Sequence, residues 1–257
     1  MKSISLYIDN GSWLCRMHPF TKLAYIAAAI SVPLLAGRLW LFAVFIALSL
    51  AVLASGHLLK RVVPLVAFSF TILITIFLIH GLFNQQNRNI LFSIGPLHFY
   101  REGLLYALHI GCNVLNMLLS FAILVLSTKP SELVEELEKR GFSRRMGYII
   151  ISVFQIVPQM MGTMNTITDA QRSRGMETEG SLATRAKAFL PLISPVVMSS
   201  LINTRERAVA LEGRGFAAKK KKTYLADRTP RRGDKPITIV LLALIVLAAG
   251  WRIAQCL

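Results

Sequence analysis

The chain has 257 residues, of which 54% are hydrophobic and only 16% charged, and its 29 Lys and Arg against 13 Asp and Glu give a formal net charge of +16. An apolar chain whose basic residues gather in a few segments reads as an integral membrane protein with a basic cytoplasmic portion. That excludes an ordinary soluble domain, and a DNA-binding domain would not carry several apolar spans. Cys15, Cys112 and Cys256 are an odd number without C-x-x-C spacing, so neither a disulfide framework nor a zinc knuckle is indicated.

Residues 1–22 form a polar lead containing Lys2, Ser3, Asp9 and Asn10, without the cleavage pattern of a signal peptide. The lead ends in His18-Pro19-Phe20-Thr21-Lys22. Pro19 biases His18 away from the helical region, which predicts a first helix starting just after it and Lys22 at the membrane edge. Two apolar runs, 23–35 and 39–54, flank Gly37-Arg38. Each falls short of the ~20 residues that span a bilayer comfortably. Two spans joined by a tight turn at Arg38 and Trp40 are expected, with a re-entrant hairpin as the alternative. His57, Lys60 and Arg61 make a basic loop before a third span, 62–83, with Pro64 in its first turn.

Residues 84–101 read as a polar loop with turn chemistry at Gly95-Pro96. The fourth span, 103–127, contains Asn113 and Asn116, which face lipid at a cost and are expected to hydrogen-bond to a neighbouring helix. Lys129-Pro130-Ser131 then opens a helix over 132–139. Ser131 is a suitable N-cap, glutamates stand in the early turns and basic residues at the end, as the helix dipole favours. A second segment follows Arg144, Arg145 and Met146 and runs to Arg174, apolar nearly all round between Tyr148 and Met164. Glu177 to Gly180 make a polar break, and Ser181 caps a third segment ending at Arg214. Pro191 and Pro195 inside it are expected to kink or split the helix. A basic linker (Lys219 to Lys222, Arg228, Arg231, Arg232, Lys235) precedes a last apolar run, 237–251, ending in Trp251 and Arg252.

The fold class is therefore all-α: a polytopic membrane protein of about five transmembrane helices with long helices on the cytoplasmic side. Three stretches divide it: 1–128 as N-terminal spans, 129–218 as the cytoplasmic helical region, and 219–257 as linker and last span. Lysine and arginine bias orients it. With the N-terminus inside, the inner segments hold Lys2, Arg16, Lys22, Lys60, Arg61 and every basic residue from Lys129 to Lys235. The outer ones hold only Arg38, Arg88, Arg101 and Arg252.

Catalytic chemistry is not encoded in any pattern here. His18, His57, His80, His98 and His109 form no H-x-x-x-H pair, and neither a Walker loop nor a G-x-S-x-G elbow occurs. The span centres carry no Asp, Glu, Lys or Arg, which argues against a proton- or ion-coupled pump. Asn113, Asn116 and His109 are the only polar candidates at depth. No cofactor and no metal site are expected.

What stands out is an arginine–glycine step recurring in 130–216: Lys139-Arg140-Gly141-Phe142, Ser173-Arg174-Gly175-Met176 and Gly213-Arg214-Gly215-Phe216. Helix termination explains one such step, because glycine takes the left-handed conformation at C′ and arginine suits the last turn. Recurrence on one side of the membrane raises a second, compatible account. An arginine fixed at a helix tip can fork onto a carboxylate and transmit a push along a rigid rod.

Asp169-Ala170-Gln171-Arg172-Ser173-Arg174-Gly175 and Leu211-Glu212-Gly213-Arg214-Gly215-Phe216 resemble the two Ala-Arg-Gly signatures of the transmembrane T component of energy-coupling factor (ECF) transporters. His18-Pro19-Phe20-Thr21-Lys22 is similar to that family's Asp-Pro-x-x-Lys lead into the first span, and Leu126-Ser127-Thr128-Lys129-Pro130 to its lead into the cytoplasmic helices. The likeness covers nearly the whole chain in order. Ser173 and Gly213 replace the signature alanines and His18 the aspartate, while both arginines are kept. The resemblance implies a non-catalytic coupling subunit of an ABC-type importer of vitamins or metal ions in the cell inner membrane. Its partners would be two ABC-type ATPases and a membrane substrate-binding (S) subunit, with no nucleic acid. Arg174, Gly175, Arg214 and Gly215 would dock the ATPases, with Ser173, Gly213, Asp169 and Arg140 secondary. The rival readings are a stand-alone channel or secondary transporter, which should carry polar residues along a pore, and an inner-membrane scaffold docking a soluble partner. Met160, Met161 and Met164, with Val196, Val197 and Met198, are too apolar for open cytoplasm and are expected to meet each other or the S subunit.

The charge bias makes a direct prediction. A topology reporter fused after Gly233 should read cytoplasmic and one fused after Leu257 external; the same side for both would mean that the last apolar run does not span.

Overall fold

The computed structural model describes residues 7, 11–83, 89–94, 97–176, 181–218, 223 and 233–256. The turn residues Gly95 and Pro96, the break at 177–180, Lys2, Ser3, Asp9, Asn10, Arg88, and residues 219–222, 228, 231 and 232 of the basic linker lie outside them. Among the described residues the chain is all-α apart from one short hairpin. Its helices are α1 (Trp13–Arg16), α2 (Pro19–Ala36), α3 (Leu39–Ser55), α4 (Leu59–Phe83), α5 (Arg101–Ser127), α6 (Pro130–Lys139), α7 (Arg144–Ser173), α8 (Leu182–Gly213) and α9 (Asp234–Cys256). Strands β1 (Ile90–Ile94) and β2 (Leu97–Tyr100) pair antiparallel between α4 and α5, with Ile94 opposite Leu97 and an irregularity between Ile90 and Phe92. The stretch expected as a plain polar loop thus carries strands, for which the alternation Ile90-Leu91-Phe92-Ser93-Ile94 and Leu97-His98-Phe99-Tyr100 supplies β-branched and aromatic residues.

The chain forms two compact units. The first holds the described residues from 7 to 136 together with α9. Its helix α2 begins where Pro19 dictates: His18 is extended (φ −61°, ψ 134°), its Nδ1 accepts the Phe20 N–H at 3.2 Å, and Pro19 fills the first helical position. Helix α2 ends at Gly37, left-handed at φ +63°. One apolar cluster joins Leu14 of α1, Leu53 of α3, Leu58, Val62 of α4, and Leu119, Ala122, Ile123 and Leu126 of α5. A second joins Ala28, Ala29 and Val32 of α2 to Phe45 of α3 and to Leu241 and Ala248 of α9. Small residues on α2 let its backbone approach closely, as helix pairs in lipid require.

Among the described residues, five helices are long and apolar enough to cross a membrane: 19–36, 59–82, 101–127, 144–173 and 234–255. This count agrees with the expected five, but its membership differs. Helix α3 has 17 residues, about 25 Å of rise against a ~30 Å hydrocarbon core, while α7 enters through its length and its apolar middle. Helix α3 is nonetheless packed into the first unit, with Phe42 and Leu53 fully buried.

Several boundaries move. Helix α4 takes in Lys60 and Arg61, so the expected basic loop shrinks to a turn at Gly56-His57-Leu58, and Pro64 lies past the first turn. Here the His57 N–H bonds the Ala54 carbonyl and the Leu58 N–H the Leu53 carbonyl, with His57 at φ +54°. The glycine stands one place earlier because a Cβ on Gly56 would meet Leu14 Cδ2 at 3.1 Å. Helix α6 starts at Pro130, so Ser131 lies within its first turn rather than capping it. Pro191 and Pro195 do not split α8, which runs unbroken for 32 residues.

Asn116 behaves as expected: its side-chain amide donates to the Ala29 carbonyl of α2, and the residue is fully buried. Asn113 Oδ1 is buried and meets no hydrogen-bond partner among the described residues. Lys22 departs most from expectation. It is 2% exposed, and its Nζ donates to the Ser127 carbonyl at 2.9 Å and to Thr128 Oγ1 at 3.0 Å. These acceptors stand at the C-terminal end of α5, where carbonyls lack intrahelical partners and the dipole favours a cation.

Removing that ammonium strands the acceptors. Lys22→Met should destabilise the detergent-purified chain by about 1.5–3 kcal/mol, the range for a hydrogen bond to a charged group, and lower its melting temperature. Lys60→Met, at an exposed position, should leave the melting temperature unchanged; equal effects would remove the special role of Lys22.

Candidate functional site

All three arginine–glycine steps fold the same way. Gly141, Gly175 and Gly215 are left-handed, at φ +104°, +88° and +73°. The Gly141 N–H bonds the Glu138 carbonyl and the Phe142 N–H the Leu137 carbonyl, at 3.1 Å each. The same pair recurs as Gly175 to Arg172 (2.9 Å) with Met176 to Gln171 (3.1 Å), and as Gly215 to Glu212 (2.9 Å) with Phe216 to Leu211 (3.0 Å). This is the Schellman cap: glycine at C′, an arginine at the C-cap, and a large apolar residue at C″. Helix termination therefore holds at each step. The cap also fixes the arginine backbone, so Arg140, Arg174 and Arg214 leave their helices from equivalent positions.

The surroundings differ. Arg140 ends the 10-residue helix α6, and the next helix starts four residues on at Arg144. Arg174 and Arg214 end helices of 30 and 32 residues. Both are exposed, and neither guanidinium has a partner among the described residues. Asp169 is exposed one turn before Ser173, whose Oγ donates to the Asp169 carbonyl at 3.1 Å. Gly213 is the last residue of α8, with open space where a Cβ would stand.

Within the second unit, described here from 137 to 223, α7 and α8 pack antiparallel. Tyr148 near the start of α7 meets Phe216 beyond the end of α8, ring centroids 5.2 Å apart. Arg144 Nη1 reaches the Ala218 carbonyl at 3.5 Å. Further along, Arg207 Nη2 donates to Gln159 Oε1 at 2.7 Å. A groove there is lined by Met160 and Thr163 of α7 and by Ser200, Asn203 and Thr204 of α8. The Arg214 cap is thus braced by the first turns of α7, while Arg174 stands at the far end of the same helix. Arg174 stands 26 positions after Tyr148, about 40 Å of helix at 1.5 Å per residue. The two tips point a charge from opposite ends of one helix pair.

The expected apolar set divides. Val196 is buried at 7% exposure, and Met160 lines the groove. Met161, Val197 and Met198 remain exposed at 53%, 46% and 60%, in company with Ile193 and Leu201. Among the described residues no group of three His, Cys, Asp or Glu could hold a metal ion. Sequence reasoning missed His18 and Lys22 as buried polar anchors. Their four-residue spacing on one face of α2 was the available signal.

A family model described as "Cobalt transport protein" (CbiQ) matches residues 10–225. The chain belongs to that family. Curated relatives agree along nearly the whole length. The energy-coupling factor transporter transmembrane protein EcfT of Staphylococcus aureus is 27% identical over 260 residues, covering 95% of each chain. The proteins of the same name from Listeria innocua and Bacillus subtilis are 28% and 27% identical, over 94% and 96% of this chain. Family membership and the apolar helices together make this a multi-pass membrane protein.

The caps can be tested apart from any partner. Gly175→Ala and Gly215→Ala should each destabilise by about 1–2 kcal/mol, the cost of placing an L side chain in the left-handed region. Gly213→Ala sits in helical backbone with open space and should be neutral or stabilise by up to ~1 kcal/mol. Melting temperatures of the three purified variants check the order, and Gly213→Ala as the worst of them would contradict the cap assignment.

Proposed function

We propose that this chain is the transmembrane coupling component of an energy-coupling factor importer, joining two ABC-type ATPases to a membrane-embedded substrate-binding subunit for uptake of a vitamin or metal ion. The observation that carries the reading is the pair of exposed arginines, Arg174 and Arg214, held by identical caps at opposite ends of the α7–α8 pair. Two separated cationic tips suit two ATPase subunits, one arginine to each. The printed name of the relatives, an energy-coupling factor transporter transmembrane protein, supports the same role. ATP hydrolysis then belongs to the partners, and this subunit contributes docking and force transmission.

In this reading each guanidinium enters a groove on one ATPase and meets carboxylate or carbonyl oxygens there, bidentately where a carboxylate is offered. Gly175 and Gly215 hold the arginines at the tip, and Ser173, Asp169 and Gly213 shape the last turn. Closure of the ATPases on ATP drives the tips together or apart, and the motion travels along α7 and α8. The exposed face of Met161, Ile193, Val197, Met198 and Leu201 is offered to the substrate-binding subunit, where methionine suits a surface that repacks. The N-terminus lies in the cytoplasm and the C-terminus outside, in the cell inner membrane.

Desolvated charge pairs typically cost ~2–5 kcal/mol when one partner is truncated, roughly thirtyfold to several thousandfold in affinity. Arg174→Ala or Arg214→Ala should weaken ATPase co-purification at unchanged membrane level, and the double substitution should be worse. Arg140→Ala, losing only a helix-end charge worth ~0.3–1 kcal/mol, should retain the ATPases. The reverse pattern, with Arg140 essential and the other two dispensable, would overturn the docking assignment.

A further inference from the structure

The helix that leads from the first unit toward the arginine tips is held by a buried polar contact which docking itself does not explain. Helix α6 leaves the end of α5 after two residues, Thr128 and Lys129. His18, 8% exposed, places Nε2 3.1 Å from Glu136 Oε2 of α6, across 118 residues of sequence. The His18 Nδ1 accepts the Phe20 N–H, so the ring proton sits on Nε2 and is donated to the carboxylate. One turn along α2, Lys22 holds Ser127 and Thr128 at the start of the same connection. Val134, between the two fastenings, is 4% exposed. The chain is therefore fixed to α2 just before α6 begins and again past the middle of α6, at Glu136, four residues before Arg140.

The contact is chemically demanding. His18 must act as N-cap of α2 and as donor to α6 at once, and only a ring with one acceptor and one donor nitrogen does both. A buried carboxylate without its donor carries a desolvation penalty, so Glu136 holds to this geometry. Apolar packing alone would let an amphipathic helix slide or turn on the surface of the first unit. A buried hydrogen-bonded pair sets its register.

We infer that His18 and Glu136 are positioning residues for coupling: they set the pose of α6 on α2, and through the covalent path from α6 into α7 they set how the arginine tips are presented to the ATPases. The inference rests on the docking role proposed above. It assigns no partner contact to either residue, since both are buried.

The test separates the two readings. In a chain whose cysteines are replaced by serine, Val134→Cys should be protected from a maleimide in native membranes. Adding Glu136→Lys sets an ammonium against the Nε2–H donor and should speed labelling at least fivefold. Adding His18→Asp as well restores a complementary pair, since aspartate both caps α2 and accepts from the new lysine, and should return labelling to within twofold of the starting rate. Glu136→Gln keeps an acceptor and should label slowly. ATPase co-purification, measured on the same membranes at equal chain level, should fall at least threefold in Glu136→Lys and recover in the double variant. Unchanged labelling in Glu136→Lys overturns the tether. Faster labelling with full ATPase capture leaves the tether as mere packing and overturns the positioning role. Loss without recovery in the double variant also overturns it. If the unsubstituted chain captures no ATPase, the docking reading fails first, and the positioning role falls with it while the labelling rates still report the tether.

Discussion

A buried ammonium constrains everything around it. Lys22 is 2% exposed, and a charge so far from water must find oxygen acceptors or cost several kcal/mol. Helix α5 has what it needs, because the last carbonyls of any helix lack intrahelical donors and carry the negative end of the dipole. The two deficits cancel only if the start of α2 lies against the end of α5. That single requirement fixes the point from which the chain leaves α5.

The other polar groups in this unit repeat the logic on a smaller scale, and most of them converge on α2. Tyr25 meets Ser49 of α3 at 2.7 Å, Thr21 meets Thr238 of α9 at 3.1 Å, and Asn116 of α5 donates to the Ala29 carbonyl. Helices α3, α5 and α9 thus each have at least one polar contact with α2 beside an apolar contact surface. Hydrogen bonds between helices in lipid contribute modestly, about 0.6–2 kcal/mol each, too little to dominate stability. Their effect is on register: an apolar face can slide by a turn at small cost, and a paired hydroxyl or amide cannot. Helix α2 is the post against which the other spans are indexed.

Local chemistry was legible in the sequence, and long-range pairing was not. Pro19 announced the start of α2, and the glycines at 141, 175 and 215 announced three helix ends, because proline and glycine act through their own backbone. Asn116 announced a neighbour without saying which. Lys22 read as an interfacial lysine, since nothing nearby tells that residues 127 and 128 will lie over it. His18 read as the residue before a proline and as a replacement for the family's aspartate, with no partner indicated. Its partner is 118 positions away, beyond any window of local pattern. The turn after α3 misled for a different reason. His57, Lys60 and Arg61 read as one basic loop, but Lys60 and Arg61 join α4, close packing against Leu14 claims Gly56, and His57 takes the left-handed position.

The long helices place their strength at the tips and their weakness in the middle. Each arginine tip has a Schellman cap, with two of the last carbonyls satisfied by the two N–H groups that follow. The interiors are less complete. Pro158 in α7 leaves the Phe154 carbonyl without its helical donor, and in α8 Pro191 and Pro195 do the same to the carbonyls of Lys187 and Pro191. Pro191 thus lacks its own donor and the donor its carbonyl would use. A helix short of interior bonds bends there at less cost than elsewhere, and its ends stay as they were. In the docking reading proposed above, where Arg174 and Arg214 take the push, a stiff tip on a compliant rod suits the task. The same reasoning sets α6 apart: it has ten residues, a proline only at its first position and a buried fastening at Glu136.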